Sequence, residues 1–191
     1  IMNPVFDFSK GYIKEIDKFI EIGLNLGAGK KEAEEAYKYA VEAQRGFHKE
    51  CRETGKKFVE EIEKTGEIGI VLFGRPYNAF TKNANMGIPA KFASRGYRII
   101  PADFMAFQEE EIDGNIYWAM GRIIMKTTKI VKKNPNLFGA YITNFSCGPD
   151  SFLTTFFRDK MGDKPSLILE LDSHTADAGV DTRVEAFLDV I

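Results

Sequence analysis

From Gly69 onward the sequence alternates short apolar runs with segments that carry a helical pattern. The runs that predict strands are Gly69–Phe73, Arg98–Ile100, Ala140–Thr143 and Ser166–Leu171. The helical stretches between them are Ile88–Ser94, Asn115–Lys132 and Asp150–Met161. Strands that are separated by crossover-length helical segments favour a parallel sheet covered by helices on both faces. The alternation therefore predicts an α/β fold with about four parallel strands.

Two helices are predicted before the first strand. Apolar residues recur every three or four positions in Gly11–Leu26 and again in Lys30–Glu63, with a glycine-rich break between the two segments. We expect these helices to form a hairpin over residues 1–65 that packs on an α/β domain over residues 66–191. The predicted fold is thus a flavodoxin-like or Rossmann-like sheet with an N-terminal helical hairpin.

Composition and charge exclude several classes of function. The chain has 191 residues and a formal net charge of −2, and its basic residues are dispersed, so we expect no nucleic-acid partner. The sequence contains no apolar run of about 20 residues, so we expect no membrane partner. Its two cysteines lie far apart, which indicates a reducing, cytoplasmic location. The last helical pattern, which starts at Thr182, ends without a cap, and we expect this chain to be a fragment of a larger protein.

Ligands of open parallel sheets bind outside the carboxyl ends of the strands, so the loops that follow the predicted strands are the candidate sites. The first such loop is Gly74-Arg75-Pro76-Tyr77-Asn78. Arg75 can hold an anion there or can pair with a carboxylate of the protein. The spacing matches neither a dinucleotide-binding fingerprint nor a P-loop.

The loop after the third predicted strand, Asn144-Phe145-Ser146-Cys147-Gly148-Pro149-Asp150, carries a cysteine directly before a helix. The positive end of the helix dipole lowers the pKa of a thiol at that position and favours the thiolate. Cys147 is therefore a candidate metal ligand or nucleophile. The alternative interpretation of Cys147 is a buried, inert thiol. The other cysteine, Cys51, lies in the apolar stripe of the second helix, and we assign it to packing.

The loop after the fourth predicted strand contains His174 and Asp177. His174 can act as a base or a hydrogen-bond donor, or it can simply tie the loop together. Together with Cys147, these two residues could form a thiol-nucleophile set.

Three ordered motifs resemble the large proteins known as CoA-substrate-specific enzyme activases, which are relatives of the 2-hydroxyacyl-CoA dehydratases. The motifs are Gly74–Asn78 with Met86–Pro89, Thr143–Phe152, and Leu171–Gly179. The resemblance covers about Ile68 to the C-terminus. It implies tandem α/β domains that bind a cubane-type (4Fe-4S) iron–sulfur cluster at a domain interface, and an ATP-hydrolysing activator that delivers electrons to the cluster.

By this resemblance Cys147 corresponds to a cluster ligand. Arg75, Tyr77, Asn78, Ser146, His174 and Asp177 correspond to residues that shape the loops or contact the cofactor site. The resemblance thus predicts an iron–sulfur domain of an ATP-dependent reductase, dehydratase or activase system that acts on an acyl-CoA-type substrate. A cubane takes several cysteines, so we expect a second α/β domain to supply the others.

We expect the isolated fragment to carry no cluster and to lack turnover, and the sequence identifies no catalytic residue. Two other function classes remain open. The chain could be a stand-alone thiol enzyme that uses Cys147 and His174, or a binding domain without a cofactor.

Overall fold

A computed structural model describes residues 1–105, 116–144 and 148–191 of the chain. The helices are α1 (Ile16–Asn25), α2 (Lys30–Thr65), α3 (Pro76–Ala79), α4 (Ile88–Ser94), α5 (Ala119–Lys133), α6 (Pro149–Met161) and α7 (Asp177–Leu188). The strands are β1 (Gly69–Phe73), β2 (Arg98–Pro101), β3 (Leu137–Asn144) and β4 (Ser166–Leu171). Short 3-10 helices occupy Phe8–Lys10, Tyr12–Glu15 and Ala102–Phe104.

The chain divides into two compact units, Ile1–Glu50 and Cys51–Ile191, and this division falls within α2. The second unit therefore includes the last fifteen residues of α2 together with the sheet. The domain boundary expected from the sequence, between residues 65 and 66, stays a prediction.

In the first unit the predicted helices are confirmed as α1 and the first part of α2. The two helices approach closely where Gly23 faces Ala33, because a Cβ atom on Gly23 would lie 2.5 Å from the Cβ atom of Ala33. The rings of Phe19 and Tyr37 lie 4.4 Å apart. The Tyr37 hydroxyl donates a hydrogen bond of 2.5 Å to the carbonyl of Tyr12, which ties the preceding 3-10 helix to α2.

In the second unit all strands are parallel, as predicted, and they lie in the order β2-β1-β3-β4. This order is that of a flavodoxin-like, doubly wound sheet. The chain moves outward from β1 to β2 and then returns to place β3 on the other side of β1. The point between β1 and β3 is therefore the position at which the strand order reverses.

The side chains of β1 alternate between two cores, one on each face of the sheet. Val71 and Phe73 face the core formed with α5, α6 and the last part of α2. Ile70 and Leu72 face the core formed with α4 and α7. All of these side chains are buried, which explains why the strand reads as a continuous apolar run rather than as an alternating pattern.

A glycine allows α2 to pack directly on the segment that follows β2. A Cβ atom on Gly55 would lie 1.6 Å from the carbonyl oxygen of Phe104, so a larger residue would push two backbone segments apart. α2 continues through Gly55 although glycine has a low helix propensity, because the packing of α2 on the segment that follows β2 stabilises the helix there.

The structure also differs from the prediction at several boundaries. β3 begins at Leu137 and α7 begins at Asp177, each several residues earlier than the apolar patterns suggest, and the short helix α3 is absent from the prediction. Among the helices of the described ranges, none combines the length and the apolar character that a membrane-spanning helix requires.

Candidate functional site

The loops after β1 and β3 meet at the reversal point of the sheet. β1 and β3 are hydrogen-bonded neighbours, from Gly69 opposite Leu137 to Phe73 opposite Tyr141. The connections leave these two strands in opposite directions, and open α/β sheets bind ligands at the carboxyl edge of such a reversal point, which we call the candidate crevice. Of the predicted site residues, Arg75 comes directly after β1, and Cys147 follows β3 in the sequence.

Gly74 permits the close approach of these two loops. Its φ angle of +141° lies in a region that favours glycine, and a Cβ atom there would lie 2.5 Å from the carbonyl oxygen of Ile142 and 2.8 Å from the Cβ atom of Ala79. The absence of a side chain thus lets the chain that leaves β1 turn against β3 and start α3.

The first turn of α6 carries a fully buried carboxylate, that of Asp150. Its Oδ2 atom accepts hydrogen bonds from Arg75, with Nε at 3.1 Å and Nη2 at 3.0 Å, and from the Thr143 hydroxyl at 2.8 Å. Its Oδ1 atom accepts a bond of 3.1 Å from the Tyr141 hydroxyl. A buried charge needs such donors to offset its lost hydration. Asp150 therefore joins the start of α6 to the end of β3 and to the loop after β1.

The pKa of the Tyr141 phenol is raised far above its ordinary value. Burial is the largest cause, and the negative charge of Asp150 is the second. Tyr141 therefore keeps its proton in the folded protein, at pH values where an unfolded tyrosine loses it, and remains a hydrogen-bond donor to Asp150.

This raised pKa predicts a pH-dependent effect of Tyr141→Phe. At neutral pH the variant should be less stable by about 1 kcal/mol, because it lacks the hydrogen bond to Asp150. Above pH ~10 an unfolded tyrosine ionises while folded Tyr141 does not. Ionisation favours the unfolded wild type and lowers its free energy of unfolding, whereas the phenylalanine at this position in the variant cannot ionise and adds no such loss. Urea unfolding at pH 8 and near pH 11 should show the difference between the two proteins shrinking or reversing at the higher pH. A difference that stays constant would contradict this account of Tyr141.

A second contact joins the same two loops at their buried side. The Asn144 amide donates a hydrogen bond of 3.0 Å to the side-chain carbonyl of Asn78, which is 1% exposed. Within the described ranges, the Nδ2 atom of Asn78 has no hydrogen-bond partner. Asn85 stabilises the chain that follows α3, because its side chain donates to the carbonyl of Ala79 and accepts from the backbone N–H of Gly87.

Tyr77 lies on the outside of this arrangement. Its ring is exposed, and the Arg75 guanidinium carbon lies 4.9 Å from the ring centroid. The guanidinium thus contacts an aromatic ring and the Asp150 carboxylate, which holds the charged group in one position at the crevice.

The predicted ligand Cys147 and the predicted site residue Ser146 lie outside the described residues, in the stretch 145–147. On either side of that stretch the structure describes the end of β3 at Asn144 and the start of α6 at Pro149, which Gly148 precedes.

The structure places His174 in the loop after β4 and Asp177 at the start of α7, and each contacts another residue. The His174 ring lies 3.2 Å from the Ser173 hydroxyl, and its backbone N–H donates to the Asp172 carboxylate. The carboxylate of Asp177 is 2.8 Å from the ammonium group of Lys91 in α4. Asp177 thus forms an ion pair between α4 and α7.

A lysine with a shifted pKa lies outside this crevice. Burial, and then the charge of Lys132, lower the pKa of Lys164 to about 8. Its ammonium group donates to the carbonyl of Val131 at 2.7 Å and to the carbonyl of Asn134. Lys164 therefore caps the carbonyl end of α5, which is a structural role.

The first unit contains a cavity of about 620 Å³ between α1 and α2. Its lining is mostly apolar and includes Phe8, Phe19, Tyr37 and Val41. Since titratable side chains are few in this lining, the cavity has the chemistry of a packing surface rather than that of a reaction centre.

Sequence reasoning missed the residues that hold the crevice together. Tyr141 and Thr143 lie on β3 and read as ordinary strand residues, and Asp150 reads as a helix-start residue. One signal could have identified Asp150. An aspartate that is buried in the first turn of a helix needs a cationic partner, and Arg75 was already a candidate for pairing with a carboxylate.

Comparison with known proteins identifies the family. The family model described as CoA enzyme activase uncharacterised domain matches residues 1–105 of the chain. The chain belongs to this family. The match confirms the resemblance to CoA enzyme activases, and it includes the N-terminal helices, which the sequence motifs did not reach. No curated protein and no solved structure matches the chain.

For this member of the CoA enzyme activase family, the matched region contains the loop after β1 and ends just beyond β2. It thus includes Arg75, Tyr77 and Asn78, and it stops before β3 and α6. The crevice is built from both parts, because Arg75 from the matched region bonds to Asp150 from the remainder.

Proposed function

We propose that this chain is the module of a CoA enzyme activase-type protein that holds one corner of an iron–sulfur cluster through the thiolate of Cys147. When bound, a 4Fe-4S cluster supplies one-electron transfer at low potential. In this proposal an ATP-hydrolysing activator reduces the cluster, and the electron passes on to an acyl-CoA-type substrate. The proposed location is the cytoplasm, where thiols stay reduced.

One observation carries the proposal: the chain is anchored on both sides of the cysteine loop. Before the loop, the Asn144 amide bonds to buried Asn78. After the loop, the carboxylate of Asp150 is held by Arg75, Tyr141 and Thr143. A metal ligand is effective when its supporting contacts fix its position before the metal binds.

The electrostatics of the crevice also suit a thiolate. α6 begins two residues after Cys147, and the N-terminal end of a helix favours negative charge. The helix end therefore suits a thiolate placed there, which is the form of cysteine that binds iron.

The proposal assigns one thiolate of this chain, that of Cys147, to the cluster. Within residues 1–105, 116–144 and 148–191, no group of three or more histidine, cysteine or acidic side chains is arranged to hold a metal ion. A cubane is held by several thiolates. The remaining ligands therefore come, in this proposal, from a second α/β domain that closes over the crevice.

A thiol-labelling experiment on the natural full-length protein tests this assignment. With the cluster bound, Cys147 should react slowly with iodoacetamide, and removal of iron by a chelator should make it react fast, because a metal-bound thiolate is not a free nucleophile. Cys51, which is buried in α2, is the matched control and should react slowly in both states.

Two results would overturn the proposal. The first is a Cys147 labelling rate that does not change on chelation. The second is a fast rate in the presence of iron that falls when His174 is replaced by alanine, because that dependence indicates a thiol enzyme with a histidine base.

A further inference from the structure

Two lysines meet at the edge of the sheet that lies opposite the candidate crevice. Lys132 is in the last turn of α5, and Lys164 is in the turn between α6 and β4. Helices that connect parallel strands end at the amino edge of the sheet, so both lysines lie at that edge. The charge of Lys132 acts on the amine of Lys164. We call these two residues the lysine pair.

The packing of α5 against α6 explains why the two lysines meet. The Lys132 ammonium group donates to the carbonyl of Met161, the last residue of α6. The Lys164 ammonium group donates to the carbonyls of Val131, at 2.7 Å, and Asn134, which lie at the end of α5. Each lysine thus caps the carbonyl end of the other helix, where positive charge is favoured.

The charged form of Lys164 has little compensation beyond these carbonyls. The side chain is half-buried, and its amine nitrogen lies 5.0 Å from the centroid of the Phe138 ring on β3. In the described part of the chain neither lysine of the pair has a carboxylate partner, and Glu63 of α2 accepts instead from the Asn134 amide, at 2.9 Å. Burial and then the charge of Lys132 therefore lower the pKa of Lys164 to about 8.

These contacts leave Lys164 suited to attack an electrophilic carbon. Its neutral amine keeps two N–H groups for the two carbonyl acceptors and has a free lone pair, which an ammonium group lacks. A half-buried lysine beside a second cation is a common form of activated amine nucleophile. The ammonium group of Lys132 also places positive charge where an attacked carbonyl oxygen would become negative.

We propose that Lys164 is a site of covalent modification whose amine takes the acyl group of a thioester. The amine nitrogen bonds to the thioester carbonyl carbon, the carbon–sulfur bond breaks, and its electron pair leaves with the sulfur. The proton lost by the amine completes the free thiol, so the reaction needs no oxidant or reductant. The amide product is neutral and has one N–H group, so acylation removes the like charge beside Lys132 and one cap of α5. This inference does not depend on the proposed cluster.

Acetylation of the natural full-length protein by acetyl-CoA, followed by peptide mass spectrometry, tests the inference. At about pH 7.5 an ordinary lysine is roughly 0.1% neutral, whereas an amine with a pKa of about 8 is roughly one quarter neutral. Lower basicity and partial burial reduce this advantage. Lys164 should therefore acetylate about tenfold faster than Lys57, an exposed lysine of α2 that is the matched control.

The pH profile of the wild-type protein provides a second readout that needs no variant. The rate at Lys164 should level off above about pH 9, where its amine is neutral, while the rate at Lys57 should continue to rise. A Lys164 rate that does not exceed the Lys57 rate near neutral pH, or two profiles of the same shape, would overturn the inference.

Variants of Lys132 test the part played by the lysine pair. Lys132→Met removes the neighbouring charge, which raises the pKa of Lys164, and should slow its acetylation near neutral pH by about threefold or more. Lys132→Arg keeps the charge and should react at nearly the wild-type rate. The Lys57 rate in the same samples reports any general change in the protein. A wild-type rate at Lys164 in the methionine variant, or equal slowing in both variants, would contradict activation by the pair.

Discussion

Asp150→Ala is expected to lower the free energy of unfolding by about 3 kcal/mol or more. The substitution removes the acceptor of four hydrogen bonds at the centre of the candidate site. It leaves the Arg75 guanidinium without its carboxylate, and breaking a buried ion pair in this way costs about 3–5 kcal/mol. The lower end of the range applies because the Arg75 side chain is 20% exposed and can reach water.

The hydroxyl groups of Tyr141 and Thr143 add to this cost. Both are buried, and both lose their acceptor when the carboxylate is removed. Asp150→Asn should be less damaging than the alanine variant, since an amide keeps one oxygen as an acceptor.

Asp159→Ala is the matched control, because Asp159 lies on the same helix and is exposed. Its effect should stay within about 0.5 kcal/mol, as for most surface substitutions. Urea denaturation of the three variants and the wild type measures these differences. A loss of less than about 1 kcal/mol for Asp150→Ala would show that the buried network does not stabilise the crevice.

The fold follows from the sequence to a large extent because two different periodicities are present. β1 and β4 are short apolar runs bounded by turn residues, and α1 and α2 carry a stripe with helical spacing, so each has an unambiguous local pattern. The parallel sense follows from the crossover segments. The order β2-β1-β3-β4 does not follow from these patterns, because each strand is apolar enough to occupy a central or an edge position.

The candidate site could be located but not assembled from the sequence. The rule that ligands bind at the carboxyl edge pointed to Arg75 and Asn78, and the structure places both at the reversal point. Their partners could not be predicted. Asp150 is distant in sequence from Arg75, and Asn144 is distant from Asn78, so each pair forms only because β1 lies beside β3.

The loop after β4 shows the opposite case. The sequence leaves open that His174 and Asp177 form a thiol-nucleophile set with Cys147, and in the structure each of the two contacts another residue. A turn formed by Asp172 positions the backbone of His174, and Lys91 from α4 takes the carboxylate of Asp177. Spacing alone cannot reveal a competing cation that comes from another helix.

Iron content of the anaerobically reconstituted full-length protein tests the central claim most directly. Cys147→Ser should remove most of the bound iron, because serine is a poor ligand for a cluster that selects soft thiolates. Cys51→Ser should leave the iron content at the wild-type level, because Cys51 is buried within α2. Cys147→Ser protein with the full wild-type iron content, or loss of iron in Cys51→Ser protein, would contradict the assignment of Cys147 as the ligand.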